Sequence, residues 1–489
     1  MEWIEEKTIA QLGAAMASGE RTAVQIVETY LERIERIDPS LRSIVEVNPD
    51  AREIAADLDA ERSAGTVRGP LHGIPIVLKE NIDTADSMLT TAGSLALVDS
   101  MPTSDSTTAA RLRDAGAVIL GKAGMSEWAF FRSTGGTSGW SARNGQVRNP
   151  YDPARTTGGS SSGSGVAPSA NLTAAAIGTE TDGSIVSPAT ANGVVGIKPT
   201  VGLTSRAGVI PISETQDTIG PLARTVGDAA AVLSALAGSD GRDAATAAAA
   251  GHIIDYSGQA SDSGLDGARI GIAESFFGRS PKADEVIRAA VEKMRSAGAT
   301  VVEAPELATS KELSDAERTV LLFEFKVNLA DYLATRDGGP KTLADVIEFN
   351  RLNAEVEMVH FADELHEMAE ATTGLDTDEY LEAKATARRL AADEGIDRVL
   401  DLHSLNAIVA PTGAPAPMID WVNGEHRILG SSSHAAAAGY PLISVPAGYI
   451  AGLPVGITFM GAAWSEATLI RLASGFEHVR GPRTPPLSR

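Results

Sequence analysis

A chain of 489 residues with 43% hydrophobic, 21% charged and 4% aromatic residues is long enough for one large core or two to three smaller ones, and its 48 glycines imply many tight turns. The formal net charge of -23 has the wrong sign for a surface that tracks phosphates, so nucleic acid is not an expected partner. With no cysteine there is no disulfide, thiolate nucleophile or cysteine-ligated zinc.

The opening stretch MEWIEEKTIAQLGAAMASGE places three glutamates among its first six residues and has no apolar h-region, so neither a secretory signal nor a transit peptide is expected. No run of eighteen apolar residues is present to span a bilayer. The expected setting is cytoplasmic, without a membrane partner. Thr8 with Gln11 and Thr22 with Gln25 have the Thr-x-x-Gln spacing of a capping box. After the second, Val24, Val27, Leu31 and Ile34 recur at three- and four-residue steps, which predicts an amphipathic helix inside an N-terminal helical segment, 1–70.

From about residue 71 to 237 short apolar runs alternate with Gly and Pro (GIPIVLK, AVILGKA, AAAIGTE, GVVGIKPT), the texture of a mostly buried sheet with helices packed on it. Residues 238–265, rich in small and polar side chains, read as a linker-like loop. The remainder, 266–489, returns to strand-like runs on both sides of a charged helical insertion at about 310–402. The simplest topology is one sheet interrupted by that helical excursion.

Several stretches bear on chemistry. The run TTGGSSSGSG, Thr156 to Gly165, has the composition of a flexible linker, yet it sits among strand-like segments, where its glycines would instead let backbone approach a ligand. Within it, GSSSG fits the G-x-S-x-G elbow around Ser161, but an elbow must follow a buried strand and NPYDPARTTG is not one. GAVILGKA, Gly116 to Ala123, has phosphate-loop spacing but lacks the Ser or Thr after Lys122, and its interior is strand; Lys122 reads as structural. A Ser-x-x-Lys pair is absent: no lysine has a serine three residues before it.

TETDGSIVSPA, Thr179 to Ala189, carries Ser184 with no histidine nearby. The eight histidines are scattered, His434 among them, and a neutral lysine is the other established base for a serine. Lys79, at the end of GIPIVLK, would have to be desolvated to lose its proton near neutral pH, whereas an arbitrary strand-end lysine snorkels to solvent.

GIPIVLKEN, GGSSSGSG, GTETDGSIVSPA and GVVGIKPTVG, in that order, resemble the amidase signature family, as do NPYDP, NAIVAPT, AGYPLISVPAGY and LPVGITFMG. The resemblance covers nearly the whole chain and is weakest over 240–400. It implies an α/β fold with a single large mixed, twisted β-sheet covered by helices on both faces. It also implies a triad of Lys79, Ser160 after a cis peptide bond, and Ser184, the serines standing the family's 24 positions apart. Ser160 would relay the Ser184 proton to Lys79, and the backbone N–H groups of Thr181, Asp182, Gly183 and Ser184 would form the oxyanion hole.

The resemblance further implies an amide hydrolase with a covalent acyl-enzyme, no metal and no cofactor, acting on a small-molecule or peptide amide, as a monomer or homodimer. The local text is most similar to the family's peptide amidases, which act on C-terminal carboxamides. Alternatives are the glutamine-hydrolysing component of a transfer-RNA amidotransferase, an aryl or aliphatic acylamidase, a lactam hydrolase, or an inactive scaffold. Asp182 departs from the family's usual glycine. Val186 replaces a common arginine, which argues against small acidic amides and toward a longer or more apolar acyl group. Met125, Glu127, Trp128 and Phe131, with Phe130 beside them, are candidates for the substrate pocket; for the aromatics a place in the core is the alternative.

Overall fold

The structure is a computed structural model describing residues 3–304, 307, 310–428 and 430–486; residues 1–2, 305–306, 308–309, 429 and 487–489 lie outside it. Its strands in chain order are β1 (Ile44–Val47), β2 (Pro75–Lys79), β3 (Val118–Ala123), β4 (Trp140–Ser141), β5 (Gly145–Gln146), β6 (Ala175–Glu180) and β7 (Val195–Lys198). There follow β8 (Thr218–Ala223), β9 (Arg269–Ile272), β10 (Thr300–Glu303), β11 (Ala407–Pro411), β12 (Leu442–Ile450) and β13 (Leu453–Met460).

Eleven of these form one mixed sheet in the order β1-β3-β2-β6-β8-β7-β12-β13-β11-β9-β10, while β4 and β5 make a separate small hairpin. Helices cover both faces of the large sheet. Its central strands β2, β3, β6, β8 and β13 are buried along their whole length, hence their continuous apolar text without period-two alternation.

Both capping boxes form: Thr8 and Thr22 accept from the backbone of Gln11 and Gln25, whose side chains accept from the threonine N–H groups in return. In helix Ala23–Leu41, Ile26, Val27, Tyr30, Leu31 and Ile34 are buried, and Val24 packs at their edge. The segment 1–70 is not wholly helical, however. β1 adds an antiparallel edge to β3, with Val47 opposite Gly121, where an added Cβ would lie 2.4 Å from the Glu46 carbonyl oxygen.

The stretch 238–265 does not behave as a linker: Ala249, Tyr256 and Leu265 are buried in the main core, because small side chains suit close packing as well as flexibility. That core runs from Ile4 to Phe476, across every boundary drawn from the sequence. The insertion forms helices, among them Lys311–Ala334, whose Phe325, Leu329 and Leu333 pack on Ala92, Leu97, Ile210 and Ile212. The end of this helix is tied to the loop after β2: the Arg336 guanidinium lies 3.0 Å from the Asp83 carboxylate, with both side chains nearly inaccessible.

Arg336 also donates to Ser100 Oγ and Thr90 O, both at 2.9 Å, and burial raises the Asp83 carboxyl to about 6 against its pull. Removing one partner of such a pair leaves a buried charge uncompensated, at a cost of about 3–5 kcal/mol. Arg336→Ala should therefore lower the calorimetric melting midpoint by several degrees; an unchanged midpoint would show that the pair contributes nothing.

Candidate active site

β2 and β6 run parallel and adjacent, with Leu78 paired to Ile177, so Lys79 and Thr179 emerge together at the carboxyl edge of the sheet. That edge is where open α/β sheets place ligands. Lys79 Nζ is completely buried, 2.7 Å from Ser160 Oγ, 2.8 Å from Thr179 Oγ1 and 3.3 Å from Thr179 O. Burial pushes its ammonium down to about 7, against the opposing pull of the Asp217, Glu180 and Glu80 carboxylates. Asn81 Nδ2 donates to Thr179 Oγ1 at 3.1 Å.

The serine run is a packed turn leading into helix Ser162–Ser169, and its hydroxyls divide their duties. Ser161 Oγ donates to Thr179 O at 3.0 Å, Ser162 Oγ to Gly158 O at 2.8 Å and Ser164 Oγ to Ile177 O at 2.9 Å. Ser160 alone of the four meets the amine, following a cis Gly159–Ser160 peptide. Gly159 is closely packed: an added Cβ would lie 2.4 Å from Ser126 Oγ and 3.0 Å from Ser138 Oγ, so a larger residue has to displace them.

Ser184 follows the turn after β6. Its carbonyl accepts from Ser161 N at 3.1 Å, which sets the two serine segments side by side, and the residue is 8% exposed. Among the described residues its hydroxyl has no hydrogen bond, so Lys79 and Ser160 are in contact while Ser184 stands beside them unbonded. Catalytic hydrogen bonds commonly tighten only in the substrate complex.

The N–H groups of Thr181, Asp182, Gly183 and Ser184 likewise find no acceptor among the described residues. The next two do: Ile185 N and Val186 N donate to Glu180 Oε2 at 2.6 and 3.0 Å. The turn is braced from outside, with Thr181 Oγ1 on Asp217 at 2.5 Å and Asp182 accepting from Ser432 and Ser433 at 2.5 and 2.9 Å. Four unpaired N–H groups on one braced turn are suited to an oxyanion, at about 3 kcal/mol for a single such donor.

Of the pocket candidates Met125, Glu127, Trp128 and Phe131, Glu127 lines a small cavity together with Phe130, Arg132 and Trp140. Met125, Trp128 and Phe131 belong to the cluster beneath Phe325 and Leu329. Glu127 is an internal carboxylate paired with Arg132 and accepting from Ala142 N at 2.6 Å. The turn they share carries Trp128, Ala129 and Phe130 at φ +49°, +53° and +71°, which rolls the indole inward; no apolar periodicity announces such a turn.

Two larger cavities flank the site instead. One, of about 460 Å³, is lined by Asn81, Thr179, Thr181 and Asp217; the other, of about 560 Å³, by Gly158, Asp182, Gly183 and Val186. Sequence reasoning misses Thr179, Asn81 and Glu180 as site residues; their only signal is nearness in sequence to Lys79 and Ser184. Among the described residues no group of three or more metal-ligating side chains could hold an ion.

A buried strand-end amine against a serine hydroxyl, beside a second serine on a turn of free N–H groups, is an arrangement for acyl chemistry. The sequence profile described as Amidase matches residues 25–470, and the chain belongs to that family. It is an amidase, acting on carbon–nitrogen amide bonds.

The solved peptide amidase from Stenotrophomonas maltophilia is similar at 49% identity and TM-score 0.95, covering 99% of each chain. A structure of the peptide amidase PAM with the competitive inhibitor chymostatin gives 49% and 0.96 with the same coverage. A probable amidase of Arabidopsis thaliana is 42% identical over 99% of this chain and 92% of its own. A glutamyl-tRNA(Gln) amidotransferase component from Halorhodospira halophila is 35% identical over 97% and 98%.

Gly183 tests the turn. It sits at φ +79°, and an added Cβ would come 3.0 Å from Ser432 Oγ. Gly183→Ala should shift the N–H groups on either side and lower kcat about 10-fold or more, with little change in KM. A wild-type kcat in this variant would mean that the turn does not bind the oxyanion.

Proposed function

We propose that this amidase removes ammonia from the C-terminal carboxamide of peptides, with Ser184 as nucleophile, Ser160 as proton relay and Lys79 as base. The observation that carries the reading is the completely buried Lys79 amine at 2.7 Å from Ser160 Oγ, its pKa lowered by that burial. Carbonyls can only accept, so Thr179 O takes one N–H of a neutral amine, and the Thr179 hydroxyl can take the other; the lone pair is then left for Ser160.

Ser184 Oγ attacks the carboxamide carbon while its proton passes through Ser160 to Lys79. The N–H groups of residues 181–184 receive the charge on the former carbonyl oxygen. Lys79 returns the proton through Ser160 to the leaving nitrogen, the C–N bond breaks, and ammonia departs. Water, deprotonated by the same relay, then cleaves the acyl-Ser184 ester and releases the peptide acid.

A peptide acyl group is supported by the 49% identity to peptide amidases and by Val186, an apolar wall of the 560 Å³ cavity at the position where the family resemblance leads one to expect arginine. Ser184→Ala should abolish turnover, and a slow ester should leave its acyl group on Ser184 in wild type by mass spectrometry. An adduct on another residue contradicts the assignment.

The pH profile follows from the sign of the lysine shift. Only neutral Lys79 accepts a proton, so kcat/KM should rise with pH through a midpoint near 7 and reach a plateau above it. Lys79→Arg, protonated throughout, should fall about 10³-fold or more. Substantial activity in this variant with an unchanged ascending limb would assign the base to another group.

A further inference from the structure

The 460 Å³ cavity lies on the Lys79 side of the site, and none of the steps above uses it. Its inner wall includes Thr179 and Asn81, the hydroxyl bonded to Lys79 Nζ and the amide bonded to that hydroxyl. Two inner-wall side chains, Asn81 at 2% exposure and Thr218 fully buried, carry oxygen atoms without any hydrogen-bond partner: Asn81 Oδ1 and Thr218 Oγ1. The Asn81 amide cannot simply turn over, because its Nδ2 faces two acceptors, Thr179 Oγ1 and Ile210 O, at 3.1 and 3.4 Å. An unpaired amide oxygen at such depth costs free energy and marks a wall built for polar contact rather than for apolar packing.

The cavity lining holds five carboxylates against two arginines, and two of the five, Glu214 and Asp331, stand exposed at its rim. Arg206 is committed to Asp243, and Asp83 to Arg336. At the rim, the exposed Asp331 carboxylate has no ion pair or hydrogen bond among the described residues, and Glu214 has only Lys384, 4.0 Å away. The cavity on the other side, beyond Asp182 and Gly183, has the opposite bias: Arg279, Lys311 and Arg427 against Asp182 and Glu425.

Amide cleavage separates an acid from an amine, and the leaving nitrogen must lie next to the group that protonates it. In the function proposed above, on which this inference rests, Ser160 hands that proton over and Lys79, on its inner side, supplies it. We propose that the Lys79-side cavity is the leaving-group site, and that it extends the activity to secondary amides whose leaving amine carries a second, cationic centre, such as N-(ω-aminoalkyl) amides. The amine lies along the Asn81 and Thr179 wall, and its distal ammonium reaches the Glu214 and Asp331 rim. The step balances without a further reactant: Ser184 Oγ–C forms and C–N breaks. The Ser184 proton, carried through Ser160 and Lys79, leaves on the amine, and water completes hydrolysis of the ester.

The test uses one acyl group in three substrate series: the primary carboxamide, N-(ω-aminoalkyl) amides of two to six carbons, and N-alkyl amides of matched length with a terminal methyl. At low ionic strength the aminoalkyl series should exceed the alkyl series at least fivefold in kcat/KM at its best length. That ratio should collapse toward one in Glu214→Gln/Asp331→Asn and at high salt, since rim charges are screened. Equal rates in the two series, a ratio unchanged in the double variant, or cleavage of the primary carboxamide alone would each overturn the inference. Failure on the primary carboxamide of every peptide tried would instead sink the function proposed above.

Discussion

Burying the Lys79 amine at the end of β2, with no carboxylate in direct contact among the described residues, sets the chemistry available to this site. Two other lysines are as deeply buried, and the contrast is informative. Lys122 Nζ bonds Ile82 O and Thr90 Oγ1, Lys198 Nζ bonds Tyr440 O at 2.8 Å, and burial lowers each to about 8. All three end or nearly end a strand, but only Lys79 reaches a serine on a turn that another functional segment touches. Desolvation alone makes a neutral-leaning lysine; the position of Ser160 gives it something to do.

The sheet supplies that position. Parallel pairing of β2 with β6 brings Lys79 and Thr179 to one edge, and the antiparallel return of β8, with Glu180 opposite Thr218, closes the far side. Glu180 ends β6, and its carboxylate caps the backbone just past Ser184, so the last residue of the strand shapes the turn that follows. Helix Lys311–Ala334 leans on the same region: Glu317 accepts from Gln216 Nε2 at 2.9 Å, which also donates to Thr181 O at 3.3 Å. The insertion thus touches the turn from behind.

Much of this is legible in the sequence. The buried strands show as unbroken apolar runs, the two capping boxes as Thr-x-x-Gln, and the Lys79–Ser160 pairing through the family resemblance. β1 is not legible, because four residues of IVEV between helices are too short a signal to separate from helical text. The stretch 238–265 misleads because alanine and glycine suit a tight core and a flexible linker equally. Met125, Trp128 and Phe131 stay open between pocket and core in the sequence, which does not reveal which way a turn of left-handed residues points its side chains. Thr179 and Asn81 matter only through a parallel pairing that no local pattern specifies.

The claim that most depends on this geometry is that Lys79 is an amine rather than an ammonium at working pH. A nitrogen-15 NMR titration of the Lys79 side chain, its signal assigned by loss in Lys79→Met, reads that directly. The account predicts a midpoint near 7. An ammonium that persists to about 10, as in a free lysine, would contradict it.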